Sequence, residues 1–289
     1  MKTSSSARLS LWEARAIVRR ELSGLPIRNA TQEADLILRH VLSCSQAELL
    51  AYPERELSSD AVRLLLSLSS RRAKREPLQY LLGYEEFFGY RYEVAPGALI
   101  PRPETELLVE LTLELLPQES FTFLDWGTGS GCIGATLLLK RPQARGFLVE
   151  KNPLSLRLAW RNMKKYGLMS RGLLLHSHTP QDVPVRCECD LVISNPPYIP
   201  TGLLETLMPE VHYEPPLALD GGEDGLDFYR LLFERAPLWL RPGGLLLFEL
   251  GDAGQARILE DSSPKAFTFL RKALDFSAIP RCMVWKFEG

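Results

Sequence analysis

Phe121-Thr122-Phe123-Leu124-Asp125-Trp126-Gly127-Thr128-Gly129-Ser130-Gly131, running on into Cys132-Ile133-Gly134-Ala135-Thr136-Leu137-Leu138-Leu139-Lys140, reads as a β-prone run, a glycine loop and a helix. That order is the first βα unit of a doubly wound sheet, and ligands of such sheets bind at the carboxyl ends of the strands. Glycine allows positive φ and a close approach of backbone to ligand. Gly129, Gly131 and Gly134 satisfy the G-x-G-x-x-G pattern of dinucleotide sites, but the tightest cluster is G-x-G-x-G, Gly127 to Gly131. Asp125 stands just before it. An anion there disfavours a pyrophosphate and favours a cationic ligand. S-adenosylmethionine, with its ammonium and sulfonium and no phosphate, meets that requirement.

Working outward, Gly146-Phe147-Leu148-Val149 leads to Glu150, an acid at the tip of the next strand, where an acid commonly accepts ribose hydroxyls. Asn152-Pro153 opens a helix predicted to reach Tyr166. Asp190-Leu191-Val192-Ile193-Ser194 is a strand that ends in Asn195-Pro196-Pro197-Tyr198. Proline fixes φ and removes backbone donors, so this loop presents acceptors beside an aromatic ring. The Asn195 oxygen and the Pro196 carbonyl suit the two hydrogens of a planar NH2 group, and Tyr198 suits the plane attached to it. Such a nitrogen is a poor nucleophile, and orienting it toward an electrophile requires no metal or covalent step. Asn-Pro-Pro alone is also a common strand terminator; the glycine loop upstream gives it a functional reading.

The chain has 289 residues, 45% of them hydrophobic, and a net charge of −2, which excludes a global basic field for nucleic acid. Its five cysteines, Cys44, Cys132, Cys187, Cys189 and Cys282, are odd in number and scattered, which suits a reducing cytoplasm. Cys187-x-Cys189, with His176 and His178 nearby, lacks a second pair at zinc spacing, so no metal is expected and Cys187-Glu188-Cys189 is read as edge-strand filler. No apolar leader or membrane-length run is evident, and a soluble protein is expected.

Residues 1–82 read as a small helical bundle. Leu11-Trp12-Ala16-Ile17 and Ala34-Ile37-Leu38-Val41-Leu42 are its apolar stripes, and Asn29 and Ser58 open capped helices. The basic run Arg71-Arg72-Ala73-Lys74-Arg75 reads as a helix C-terminus or as a nucleic-acid contact. Residues 83–100 form an aromatic β-hairpin linker, and 101–289 alternate strands and helices around a mostly parallel sheet. Arg241-Pro242-Gly243-Gly244 is predicted to be a turn before the strand Leu245–Leu250. The long Pro- and Gly-bearing stretch after Tyr198 reads as a lid or substrate wall, and His212 within it has no partner in sequence.

Several blocks appear in a family's order: Gln79-Tyr80-Leu81-Leu82-Gly83, Ile100-Pro101-Arg102-Pro103-Glu104-Thr105-Glu106, Asp125–Gly131, Ser194–Pro200 and Glu214-Pro215-Pro216-Leu217-Ala218-Leu219 through Asp224-Gly225-Leu226. Together they resemble the bacterial peptide-chain release factor N5-glutamine methyltransferase family. The resemblance implies a Rossmann-like methyltransferase sheet. It implies methyl transfer from S-adenosylmethionine to the glutamine amide in the Gly-Gly-Gln loop of class I release factors, in support of translation termination. Asn195, the Pro196 carbonyl, Pro197 and Tyr198 are then the substrate and catalytic set. Asp125, Gly127, Thr128, Gly129, Gly131, Glu150, Asn195, Arg102 and Thr105 are the cofactor set. The helical domain helps grip the release factor, and a cytoplasmic monomer with no sequence-specific nucleic-acid binding is expected. N-P-P-Y is shared with amino-methyltransferases of adenine N6 and guanine N2, the alternative reading. Trp126 stands where a smaller aliphatic residue is usual, and Leu175-His176-Ser177-His178 lacks an acid at the third strand's end, for which Asp182 is a weak substitute.

Overall fold

The computed structural model describes residues 9–27, 29–177, 179, 183, 186 and 189–289. The readings placed on His178, Asp182 and Cys187 lie outside the described residues. The chain divides into two compact units, Met1–Gly83 with Pro209–Tyr213, and Tyr84–Met208 with Glu214–Gly289.

The first unit consists of α1 (Leu11–Leu22), α2 (Ala30–Leu42), α3 (Gln46–Ala51), α4 (Ser59–Ala73) and α5 (Leu78–Leu82). Side-chain caps start four of them. Ser10 and Ser45 form capping boxes with Glu13 and Glu48, Asn29 accepts from the Gln32 amide, and Ser58 accepts from the Ala61 amide. The buried stripe of α1 is Leu11, Ala14, Val18 and Leu22; Trp12 and Ala16 are exposed and Ile17 is only half-buried, so the predicted stripe was misplaced by part of a turn. The spacing i, i+3, i+7, i+11 puts the observed four on one face, against Ile37, Leu38, Leu65 and Leu68. In the basic run, Arg71 pairs with Glu76, Arg72 with Glu33 and Glu210, and Arg75 with Glu210. These arginines are thus committed to carboxylates of their own unit, as the helix-terminus reading has it.

The second unit opens with a hairpin, β1 (Tyr84–Phe87) and β2 (Tyr90–Glu93), which packs into this unit's core through Phe87 and Tyr92. After a 3-10 turn at Pro103–Thr105 come α6 (Glu106–Leu115), β3 (Thr122–Trp126), α7 (Cys132–Lys140), β4 (Arg145–Glu150), α8 (Pro153–Lys165), β5 (Gly172–His176) and β6 (Cys189–Ser194). Then follow α9 (Asp227–Arg235), β7 (Leu240–Glu249), α10 (Ala253–Ser262), β8 (Phe267–Leu274) and β9 (Pro280–Phe287). Among the described residues the sheet has seven strands in the order β5-β4-β3-β6-β7-β9-β8, with β9 antiparallel to both neighbours. Leu191 and Ile193 of β6 face one apolar cluster and Val192 the other, so both faces of the sheet are covered.

The sheet departs from the sequence expectation at two places. β6 lies between β3 and β7, so Cys189 sits in an interior strand and not at an edge. The Arg241–Gly244 turn is absorbed into β7, where the pairing with β6 shifts register between Cys189 and Leu191. Gly243, at φ 81°, lets the strand continue through that irregularity. The order of strands reverses between β3 and β6. That switch point brings the glycine loop after β3 and the Asn195 loop after β6 together.

Candidate active site

Gly127, Gly129 and Gly131 all have positive φ, 71°, 58° and 81°. The loop is tied down by its own amides. Gly127 and Thr128 donate to the Val149 carbonyl at 2.9 and 3.0 Å, Gly129 donates to Glu150 Oε2 at 2.9 Å, and Gly131 donates to the Thr128 carbonyl at 2.8 Å. A pyrophosphate would need such amides free. Asp125 lies wholly buried, and its Oδ2 accepts from the Thr128 hydroxyl at 2.6 Å and the Gly134 amide at 3.1 Å. Its Oδ1 is buried with no hydrogen-bond partner among the described residues. Burial pushes its pKa up to about 7 against those hydrogen bonds. The sequence placed this charge beside the ligand; in the fold Asp125 does not line the cavity but braces the loop that does.

The cavity at the switch point is walled by Trp126, Gly127 and Gly129, by Val149, Glu150 and Asn152, and by Asn195, Pro196 and Pro197, with Leu217 and Phe228 contributed by later segments. Glu150 accepts from the amides of Gly129 and Asn152, at 2.9 and 2.7 Å, and burial raises its pKa. With the Lys151 amide also bonded to it, the carboxylate still keeps a lone pair for a hydroxyl donor. Ser177, beyond β5, also lines the cavity, at the strand end that lacks an acid. Trp126 stacks on Trp239 at 5.3 Å and 21°, which accommodates the large residue at this position. Among the described residues no group of His, Cys, Asp and Glu is assembled for a metal ion.

The Ser194 hydroxyl donates to the Trp126 carbonyl at 2.7 Å and so links the ends of β6 and β3. Asn195 Nδ2 donates to Thr105 Oγ1 at 3.1 Å. Neither Asn195 Oδ1 nor the Pro196 carbonyl accepts a hydrogen bond from the described residues, and both residues line the cavity. Tyr198 is half-buried and stands outside that lining; its carbonyl accepts from Gln255 Nε2 at 2.7 Å, and its hydroxyl points at Glu249 Oε1, 3.5 Å away. Arg102 and Thr105 do not line the cavity either. Arg102 pairs with Glu214, whose other oxygen accepts from the Ile100 amide at 2.9 Å, and Thr105 is buried behind Asn195.

Sequence reasoning gave no role to Glu214 or Glu249. Glu249 had a legible signal, since it ends an apolar strand as Glu150 does. Glu214 is 3% exposed and anchors the stretch that brings Pro215, Leu217 and Ala218 to the cavity. Glu214→Ala strands the Ile100 amide and the Arg102 guanidinium. We expect it to cost about 2–3 kcal/mol in a urea titration and to weaken cofactor binding measured by calorimetry. An unchanged midpoint would show that the clasp contributes nothing.

Two family models match the chain: the PrmC N-terminal domain over residues 13–83 and the methyltransferase small domain over residues 104–207. A release factor glutamine methyltransferase of Geobacter sulfurreducens is 40% identical over 278 residues, covering 94% of this chain and 95% of that protein. One of Moorella thermoacetica is 43% identical over 240 residues, covering 82% and 84%. A solved methyltransferase structure from Pyrococcus furiosus matches with a TM-score of 0.54 at 20% identity, over 76% of this chain and all of that one, a likeness of fold. Its sequence blocks, its switch-point site and its near full-length relatives agree: the chain belongs to the release factor glutamine methyltransferase family.

Proposed function

We propose that this protein transfers the methyl group of S-adenosylmethionine to the side-chain amide nitrogen of the glutamine in the Gly-Gly-Gln motif of class I release factors, in support of translation termination. One observation carries the chemistry: Asn195 Oδ1 and the Pro196 carbonyl are two uncommitted acceptors on a rigid loop at the cavity wall. The family and its named relatives carry the choice of substrate.

The fit to the cofactor follows from the donor set. The amides of Gly127, Thr128, Gly129 and Gly131 are spent within the protein, an unpartnered Asp125 oxygen lies behind the loop, and Glu150 offers a lone pair to a ribose. When bound, S-adenosylmethionine supplies a methyl group on a positively charged sulfur. Asn195 Oδ1 and the Pro196 carbonyl each take one N–H of the substrate amide and turn the nitrogen's π-face toward the cavity. That orientation lowers the barrier for a nitrogen whose lone pair is otherwise delocalised. The bound cofactor would supply the methyl, its S–C bond giving way to the new N–C bond, and the extra proton would leave to water, since a protonated amide nitrogen is a strong acid. Tyr198, partly buried at the end of the same loop, would pack its ring on the amide plane. Burial raises the Tyr198 pKa, so its hydroxyl stays protonated.

The same reading assigns residues 1–82 to gripping the release factor, 83–100 to a linker and 101–289 to catalysis, in a monomer working in the cytoplasm. Among the described residues no helix is long and apolar enough to cross a membrane. The direct test is mass spectrometry of an unmodified release factor after incubation with this protein and S-adenosylmethionine. One methyl added to the Gly-Gly-Gln glutamine is expected. A peptide left unmodified while cofactor binding is demonstrable would turn the reading toward adenine or guanine amino groups.

A further inference from the structure

Glu249 ends β7 at 2% exposure, between the fully buried Phe248 and Leu250. Its Oε1 lies 3.5 Å from the Tyr198 hydroxyl, and its Oε2 is buried with no hydrogen-bond partner among the described residues. The Thr105 hydroxyl is also near enough to this carboxylate to favour its ionised form. A buried, incompletely satisfied carboxylate costs stability, so its presence calls for a role.

The role follows from counting donors. A hydroxyl has one proton to donate and two lone pairs. Thr105 Oγ1 accepts from Asn195 Nδ2 at 3.1 Å, which leaves its proton free for the Glu249 anion that Thr105 stabilises. With that proton committed, a lone pair of Thr105 stays aimed at the Asn195 amide. The NH2 end of Asn195 must then face Thr105, and Oδ1 must face away from it. Tyr198, the other side chain flanking the two prolines, donates toward the same anion.

We propose that Glu249 is a positioning residue for the acceptor loop, holding Asn195 through Thr105, and Tyr198 through its hydroxyl, in the orientation that presents Asn195 Oδ1 to the substrate amide. This rests on the methyl-transfer reading of that loop. Protonating Glu249 would make it a donor, release Thr105 to rotate, and remove the restraint that distinguishes the two ends of the Asn195 amide.

The surrounding charges set the pH at which this happens. Arg281 on β9 and Arg102 ahead of α6 favour the anion, and Glu104 opposes it. Tyr198, Tyr229 on α9 and Cys282 on β9 also feel its charge. Burial outweighs these and pushes the Glu249 pKa up to about 7. The anion is the working form, so kcat is expected to fall as pH drops through about 7.

The test compares Glu249→Gln, Thr105→Val and Thr105→Ser in the full chain, with an unmodified release factor as substrate. Glu249→Gln should lower kcat by about 10- to 100-fold, the worth of a charge-assisted hydrogen bond, and abolish the acid limb. Its cofactor Kd should stay within about twofold, and its melting temperature at about pH 8 should hold or rise, because a buried charge has been removed. Thr105→Val should lose a similar factor, and Thr105→Ser, which keeps the hydroxyl, should restore the rate. Full kcat in Glu249→Gln, an acid limb that persists in it, or equal losses in the two Thr105 variants would overturn the proposal. If Glu249→Gln fails to fold, the Thr105 pair decides. Inactivity of the unsubstituted protein on the release factor would instead count against the methyl-transfer reading itself.

Discussion

Asn195→Ala is expected to leave S-adenosylmethionine binding nearly intact while methyl transfer falls by about 10²- to 10³-fold, the usual loss when one oriented polar contact to the reacting group is removed. The side chain has a divided role. Its Nδ2 is spent on Thr105 at 3.1 Å, and its Oδ1 is the free acceptor at the cavity wall. Alanine removes both, so the substrate amide keeps only the Pro196 carbonyl and can rotate out of the reactive orientation. The substitution lies on a loop braced elsewhere, by Ser194 to the Trp126 carbonyl and by Gln255 to the Tyr198 carbonyl, so the fold should persist. Single-turnover rates with calorimetric cofactor affinity separate the two effects. A parallel loss in cofactor affinity would mean that Asn195 serves chiefly the cofactor and that the acceptor assignment is wrong.

Gly221→Ala should be nearly as damaging, from outside the cavity lining. A Cβ at this position would stand 2.8 Å from Tyr198 Cα, 2.9 Å from the Pro197 carbonyl oxygen and 2.9 Å from Gly225 Cα. All three are backbone atoms, so no side chain can swing aside to make room. The neighbouring hydrogen bonds hold the contact shut: Gly221 donates to the Ile199 carbonyl at 2.8 Å, and Ile199 donates to the Leu219 carbonyl at 3.0 Å. Relief must come from displacing Pro197 and Tyr198, and a misplacement near 1 Å can cost about 10²-fold in rate. The overpacking itself should cost about 1–3 kcal/mol of stability. Gly202→Ala is the control, because nothing lies within 4 Å of its added Cβ. Equal activity in the two variants would show that the loop tolerates movement and that its rigidity is not what orients the substrate.

Much of this site was legible in residue order because the signals are local. Glycines at positions requiring positive φ, an acid at the tip of β4 and an Asn-Pro-Pro-Tyr run at the end of β6 each act within a few residues of chain. Alternating strands and helical runs foretold the doubly wound sheet. The stripe of α1 was misread because Trp12 and Ile17 are apolar without being buried; hydrophobicity places a residue on a face only when a partner covers that face. The β7 strand was read too short because Pro242, Gly243 and Gly244 carry turn chemistry, and the ladder with β6 overrides it through a register shift.

The sequence by itself determined the fold class, the family, and the places of the glycine loop and of the Asn195-Pro196-Pro197-Tyr198 run at their strand ends. Only the tertiary structure decided the orientation of the acceptors. Thr105, Glu214 and Glu249 lie far along the chain from the groups they hold, and no periodicity links them. It also showed that Asp125 braces the loop from beneath and that Arg102 clasps Glu214, where sequence had set both beside the ligand. The physical reason is that spacing along the chain specifies backbone geometry and burial, whereas a hydrogen bond's direction depends on which donor the fold brings opposite each acceptor.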